Sequence, residues 1–552
     1  MDSRRLRRPL PVLLAVAALG LAARLFRLGD RVAHQDEGRV GDWILHYMQT
    51  GEWQYNAIIH GPFLPHVNGV VFSHLGPSDV TARLVVAVVG ALLPLVALLF
   101  RDRLREREVL FTGVFLAINP VFVYYSRFMR NDLLLAAFAL AAVGFGLRAV
   151  DRDVRYVYPA AAALALAFTT KENALLYPVA WLGALALCVD WRLFRSAVRS
   201  EDPLAELRDL AVGTVRPLAA VLHHLVAAFA LFAVIFVAFY APKPDLYVAL
   251  GDPGQLPGVL SAATVGVWHE FQTWTSSGMH QHSFVAYLGR LGNILVGGAF
   301  TLTVLAVLGT LHERYRGDGR DVVAFTAAWG FASVFGYVAI TDLMAGWTAL
   351  HILVALAVPA GVGAARLLDW HDAARDADES VLAAAAIALL VGGLALSGGL
   401  AAETSYVTEQ SPDNPLVQYA QPSGEMKPVL HDVETISERT DGVDVTFYGG
   451  EFYAPNDTKR AYGPDSPGWF ARLPLPWYFD SYGANVSSTT TTSDLEDAPP
   501  VVITLAQNEE KVGDALPGYW HATYQGYLWD RPLVFYVDYS RYPDLEPPAT
   551  DS

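Results

Sequence analysis

Between Leu10 and Leu400 the apolar residues gather into blocks of roughly the 20 residues that a hydrocarbon layer about 30 Å thick asks of a helix. This pattern predicts helices at 10–28, 80–100, 109–124, 132–150, 156–170, 174–190, 218–241, 287–311, 322–340, 349–367 and 380–399. Together they describe an all-α multi-pass membrane domain of about eleven spans. The blocks at 109–124 and 156–170 are short for a full crossing, so they should tilt little or thin the bilayer locally. After Leu400 the pattern changes. Val443–Tyr448, Val501–Leu505 and Leu533–Val537 read as strands, Lys427–Arg439 as a helix and Ser487–Ser493 as a surface loop. The expected organisation is a transmembrane domain at 1–400 and a small α/β domain at 401–552.

Lys and Arg set the orientation, because cytoplasmic loops retain them during insertion. One set of alternate connections carries Arg4, Arg5, Arg7 and Arg8, then Arg101, Arg103, Arg105 and Arg107, and further basic residues at 152–155, 192–216, 314–320 and 375. The opposite set holds Arg31, Arg39, Arg127, Arg130, Lys171 and Lys243. The N-terminus is therefore expected in the cytoplasm and the tail outside, in a cell membrane. The first block follows basic residues as a signal peptide would, but it lacks a small-x-small cleavage site and is expected to stay as an anchor. The basic stretch at 190–217 is expected as an amphipathic helix on the inner leaflet.

Charge then narrows the function. Beyond Leu400 there are 24 acidic residues against 8 basic ones, and the net of −16 equals that of the whole chain. An acidic exposed domain argues against nucleic acid as a partner and suits a high-salt exterior. The single cysteine, Cys188, excludes an intramolecular disulfide. Nothing reads as a phosphate-cradling glycine loop, which disfavours a nucleotide-driven pump.

Three charged clusters fall on the expected outer face. His34-Gln35-Asp36-Glu37 sets two adjacent carboxylates just after the first block, where they suit a general base or a divalent cation, or form a solvated acid pair. Tyr124–Asp132 carries Arg127, Arg130 and Asp132 at the mouth of two spans; such charges are costly unless paired or facing a cavity, and guanidinium groups suit a phosphate. Thr169–Asn173 adds Lys171 and Glu172, which also fit a turn with snorkelling side chains. Snorkelling is expected of Arg24 and Arg27 too, with a place facing a donor phosphate as the alternative. His280-Gln281-His282 reads as ordinary loop histidines, for want of a third ligand. Trp268, His269, Trp274 and Trp347 suit an interface belt or a sugar site. Two glycosylation sequons, at Asn456 and Asn485, lie in the tail.

The acidic pair after the first span, HGPFLPHVNGVVFSHLGPSDVTARL at 60–84, SRFMRND at 126–132 and LAFTTKENALLYP at 166–178 resemble the GT-C superfamily of polyprenol-phosphate-sugar-dependent glycosyltransferases, which includes protein mannosyltransferases and aminoarabinose transferases. HGP, YYSRFMRND, TKEN and LPLPWYFDSYG at 473–483 are similar to an archaeal branch of it, the flippase-activity-associated proteins of surface glycosylation. The resemblance implies a sugar carried on polyprenyl (dolichyl) phosphate, entering from the membrane lipids, and a glycan, lipid or protein acceptor outside. It implies Asp36 as base, with Glu37 positioning the acceptor or sharing that role. Arg130, Lys171 and, more weakly, Arg127 and His60 would neutralise the phosphate; Asp132 and Glu172 complete the substrate site. At His60 bacterial members often carry a Lys-Pro-Pro type segment, so a cationic contact there would be weaker or pH-dependent. A divalent cation (Mg or Mn) is open, with Asp36 and Asp132 as its ligands if one binds. The competing expectation is a non-catalytic component that assists translocation of lipid-linked glycans. A secondary transporter would need paired broken helices at mid-bilayer, which the pattern lacks.

Overall fold

The computed structural model describes residues 9–198, 202–276, 282–341, 343–418, 420–455, 467–527 and 530–549. The chain divides into two compact units, one of residues 1–26, 54–64 and 84–407, the other of residues 27–53, 65–83 and 408–552.

The first unit is a helical membrane domain. Among the described residues, eight helices are long and apolar enough to cross a bilayer, and two shorter apolar helices, Pro9–Leu25 and Val154–Phe168, account for two further blocks. The block expected as one helix at 109–124 is broken. Glu106–Ile118 ends at Asn119, whose side chain accepts from the Val121 N–H, and Pro120 opens a separate helix to Tyr125. Proline at a first helical position costs little, because its missing N–H would have had no partner there, and this is why the chain turns at Asn119. Thr348–Asp376 is the most enclosed helix, its apolar window buried throughout. It packs closely on Phe284–Tyr315: a Cβ added at Gly309 would lie 2.0 Å from the Pro359 carbonyl oxygen, and one at Gly363 would lie 2.2 Å from that of Leu305. Such small-residue contacts let backbones approach where no hydrophobic force separates helix from lipid. Among the described residues, the amphipathic stretch expected at 190–217 forms no separate helix. Its described residues fall mostly in the flanking helices, which run Leu176–Val198 and Pro203–Tyr240.

The second unit holds a five-stranded sheet: β1 (Val445–Tyr448), β2 (Val486–Thr489), β3 (Val501–Leu505), β4 (Trp520–Tyr527) and β5 (Asp530–Val537), in the order β2-β1-β3-β5-β4. β1 pairs parallel with β2 and β3, while β5 runs antiparallel to β3 and β4. The expected helix appears as Lys427–Ser437. The Ser/Thr run is no simple loop, since Val486–Thr489 adds the edge strand β2; Ser487 exchanges a hydroxyl hydrogen bond with Thr446 at 2.7 Å. Two helices not expected from the spans, Gln35–Thr50 and Phe63–Leu75, contribute residues to this unit.

Candidate active site

In the tail-bearing unit the acidic pair opens the helix Gln35–Thr50. His34 is its N-cap, with its ring accepting from the Asp36 N–H, while the Glu37 carboxylate accepts from the His34 N–H at 2.9 Å. A helix N-terminus favours negative charge in its first turn, and both acids occupy it. Their surroundings differ sharply. Glu37 is buried, and its oxygens accept from Arg83 at 2.9 and 3.2 Å and from Arg31 at 2.9 Å. Burial alone would push the Glu37 carboxyl up, but the two guanidiniums outweigh it and hold the carboxyl well below its usual range. Asp36 keeps 15% of its side chain exposed and is held at one oxygen by Arg39 at 2.8 Å. It is therefore the carboxylate of this turn with access to solvent.

In the membrane unit the second and third clusters come together. Arg130 is the N-cap residue of the helix Asn131–Asp151, which places Asp132 in the first turn. Asp132 is buried; one oxygen accepts from Lys171 Nζ at 3.0 Å and from His351 Nε2 at 3.4 Å, the other from Arg130 Nε at 3.5 Å. The face of Trp347 backs both cations, with Arg130 Cζ at 3.8 Å and Lys171 Nζ at 5.5 Å from its centroid. Since Nε2 of His351 faces an acceptor-only carboxylate, it carries the hydrogen, so in the neutral ring Tyr177 donates to Nδ1, at 2.7 Å. Tyr337 stacks on the same imidazole at 4.6 Å. Two cations thus meet at one carboxylate and one indole face.

The HGP and TKEN segments fold against each other. The Gly61 and Phe63 N–H groups donate to the carbonyls of Thr170 and Thr169 at 3.0 and 2.9 Å. A Cβ at Gly61 would lie 2.3 Å from the Thr169 oxygen, so glycine is required by this approach. His60 takes a positive φ of 65° to allow it. His60 Nδ1 meets Glu172 Oε2 at 3.2 Å, and the Tyr55 hydroxyl donates to Glu172 Oε1 at 2.6 Å. Burial first, and then Lys171, lower the His60 pKa despite Glu172, so its ring is neutral at pH 7.

Arg127 donates to the Arg24 and Phe26 carbonyls at 3.0 and 2.6 Å and lies over the Tyr406 ring. Arg24 does not snorkel. It is fully buried and donates to the Ala117 and Gly20 carbonyls, whereas Arg27 is exposed and paired with Asp30. Trp347 is buried under the cations and belongs to no interface belt; Trp268 is exposed. His282 meets the Thr341 carbonyl at 2.7 Å. His280, Asn456 and the side chain of Trp274 lie outside the described residues. A divalent ion at Asp36 or Asp132 would displace Arg39 or Lys171 from the oxygen it took. Among the described residues no group of three or more His, Cys, Asp or Glu side chains is placed to hold a metal.

Sequence reasoning missed His351, Tyr177, Arg83 and Arg31. His351 carried a usable signal, a titratable residue inside an otherwise apolar block. Arg83 and Arg31 carried none, because their partner Glu37 is 46 residues from the one and the pairing with the other runs back along an irregular loop.

Two family models match the chain: dolichyl-phosphate-mannose-protein mannosyltransferase over residues 59–200, and the Agl23 flippase-associated protein C-terminal domain over residues 426–538. Among solved structures, the chain is similar to ArnT from Cupriavidus metallidurans bound to undecaprenyl phosphate, with 15% identity, a TM-score of 0.57, and 95% of this chain and 98% of that one covered. It is also similar to the archaeal oligosaccharyltransferase AglB from Archaeoglobus fulgidus, in complex with an inhibitory peptide and a dolichol-phosphate. There the identity is 14% and the TM-score 0.52, over 94% of this chain and 74% of that one. No curated protein matches the chain. At such identity the solved structures carry the fold alone. With the two family models they bear out the resemblance to GT-C glycosyltransferases and to the flippase-associated branch, and the fold expected from it.

Proposed function

We propose that the chain is a membrane glycosyltransferase that moves a sugar from polyprenyl (dolichyl) phosphate to an acceptor hydroxyl on the extracytoplasmic side. The observation that carries this reading is the buried cluster in which Arg130 and Lys171 share Asp132 and the face of Trp347. A guanidinium and an ammonium brought together there suit the phosphate of a lipid-borne sugar, and ArnT and AglB were each solved with a polyprenyl-type phosphate. In the reaction the acceptor attacks the anomeric carbon, the bond from that carbon to the phosphate oxygen breaks, and the lipid phosphate leaves with the electron pair. Asp36 takes the acceptor proton. Arg130 and Lys171 offset the charge that grows on the leaving phosphate. Arg127, His60, Asp132 and Glu172 hold the loops that present these cations, and Glu37 anchors the turn that bears Asp36. The acceptor class is a glycan, lipid or protein of the cell surface, with the boundary between membrane and tail domains near residue 400.

The second reading, a non-catalytic partner in translocating lipid-linked glycans, is favoured by the match of residues 426–538 to a flippase-associated domain. Purified protein in liposomes with a dolichyl-phosphate sugar separates the two. Asp36→Asn should lower transfer at least 100-fold, within the range of general-base effects, while leaving dolichyl phosphate binding intact. Lys171→Ala should weaken that binding tenfold or more, about 1.4 kcal/mol. A wild-type protein that binds the lipid and transfers nothing would sink the enzyme and leave the accessory.

A further inference from the structure

We infer that the tail segment Leu473–Gly483, with Gln421, is a clamp that positions the turn bearing Asp36, and that Tyr478 is its principal positioning residue. The Tyr478 hydroxyl accepts from the Ala33 N–H at 2.7 Å and donates to Asp79 Oδ2 at 2.9 Å. Asp79 is fixed in turn by Trp477 Nε1 at 3.0 Å and by the Lys427 ammonium. The hydroxyl is thus oriented at both ends, and a buried phenol so placed has one geometry in which neither partner is lost. From the other flank Gln421 donates to the Val32 carbonyl at 3.0 Å and accepts from Arg31 at 2.9 Å, and the Gln35 N–H reaches the Ala420 carbonyl at 3.3 Å.

The helix Gln35–Thr50 is built to receive the same segment. Gly38 and Gly41 sit three residues apart on one face. A Cβ at Gly38 would lie 2.6 Å from Pro474 Cβ, and one at Gly41 would lie 2.4 Å from the Trp477 ring. Backbone groups of residues 32, 33 and 35 are therefore bonded to the tail immediately before Asp36, while the helix that follows rests on Pro474 and Trp477. The Tyr478 hydroxyl and the Trp477 N–H are both taken up by these contacts. What they supply is the aim of the Asp36 carboxylate, and an error of about 1 Å in such a group is worth on the order of 100-fold in rate. Burial holds the Tyr478 hydroxyl well above its ordinary pKa, so it stays an O–H donor across the working range.

The effect on rate rests on the proposed role of Asp36 as base; the clamp itself does not. Full-length protein in lipid nanodiscs would be compared as wild type, Tyr478→Phe and Gln421→Ala, by amide hydrogen exchange, dolichyl phosphate binding and transfer kinetics. The clamp predicts faster exchange confined to Ala33–Glu37 and its neighbours, a fall in kcat of tenfold or more, and a lipid Kd unchanged within twofold. In an Asp36→Asn background Tyr478→Phe should lower the rate no further, which a merely structural role would not produce. Unchanged exchange at 33–37 overturns the proposal, and so does loss of protection across the whole chain in both variants, which would make these contacts general stabilisers. If exchange rises locally but Asp36→Asn alone retains full transfer, the clamp stands and the assignment of the base falls.

Discussion

Asp36 and Glu37 are neighbours in sequence with different surroundings, and the difference lies in what reaches each carboxylate. Glu37 is enclosed by Arg31 and Arg83 with 3% of its side chain exposed, so removing its charge would strand two buried guanidiniums. Breaking a buried pair in this way costs about 3–5 kcal/mol. Glu37→Gln should therefore lower the melting temperature sharply, whereas Asp36→Asn, at a partly exposed site, should barely move it. The pH dependence has a definite sign. The folded pKa of Glu37 is depressed, so its contribution is fully present above the unfolded value of about 4.3 and is lost as pH falls through the lower folded value. Melting curves taken below about pH 4.3 should show wild type losing stability that Glu37→Gln never had. An equal acid response in both proteins would contradict the assignment.

At the scale of elements, the docking of HGP on TTKEN governs how Lys171 is presented. Gly61 lies against the Thr169–Thr170 backbone, one residue before Lys171, and nothing flexible stands in the way of an added methyl. Gly61→Ala must push those strands of chain apart, an overpacking cost on the order of 1–3 kcal/mol. It should weaken dolichyl phosphate binding several-fold and lower the melting temperature, both measurable on purified protein; binding equal to wild type would show that Lys171 is held independently of this contact. The spans and the three central strands were legible in the sequence because block length and alternation report directly on bilayer thickness and sheet burial. The break at Asn119-Pro120 was overlooked within a continuous apolar run, although proline marks it. The cation cluster was half legible: Arg130, Asp132 and Lys171 betrayed themselves as charges at span mouths. Trp347, read as an interface or sugar-site residue, and His351, a titratable residue in an apolar block, could not be tied to the cluster, because their helix lies more than 170 residues further along the chain than Lys171. For Arg127 the sequence could not show that its guanidinium donates to two backbone carbonyls about 100 residues away.

For the whole molecule, orientation decides whether an outside acceptor can be served. The helix Asn131–Asp151 carries Asp132 and its cations at one end, and at the other Asp151, which pairs with Arg103 at 2.6 Å. Its 21 residues span about 30 Å at 1.5 Å each, the thickness of a hydrocarbon core. The loop at 101–108 and the Asp132 cluster therefore face opposite sides of the membrane. The same loop is laced to further acids, Arg105 to Asp369 and Arg107 to Asp372, so several basic residues gather at one end of this unit. Since basic loops are retained in the cytoplasm, that end is expected inside and the Asp132 cluster outside. With Cys188, the single native thiol, replaced by alanine, Glu106→Cys and Glu510→Cys can be probed in intact cells with a membrane-impermeant maleimide. Residue 510 should label and residue 106 should label only after the membrane is opened. The reverse pattern would place the cation cluster on the cytoplasmic face, and transfer to a cell-surface acceptor would then be ruled out whatever the chemistry of Asp36.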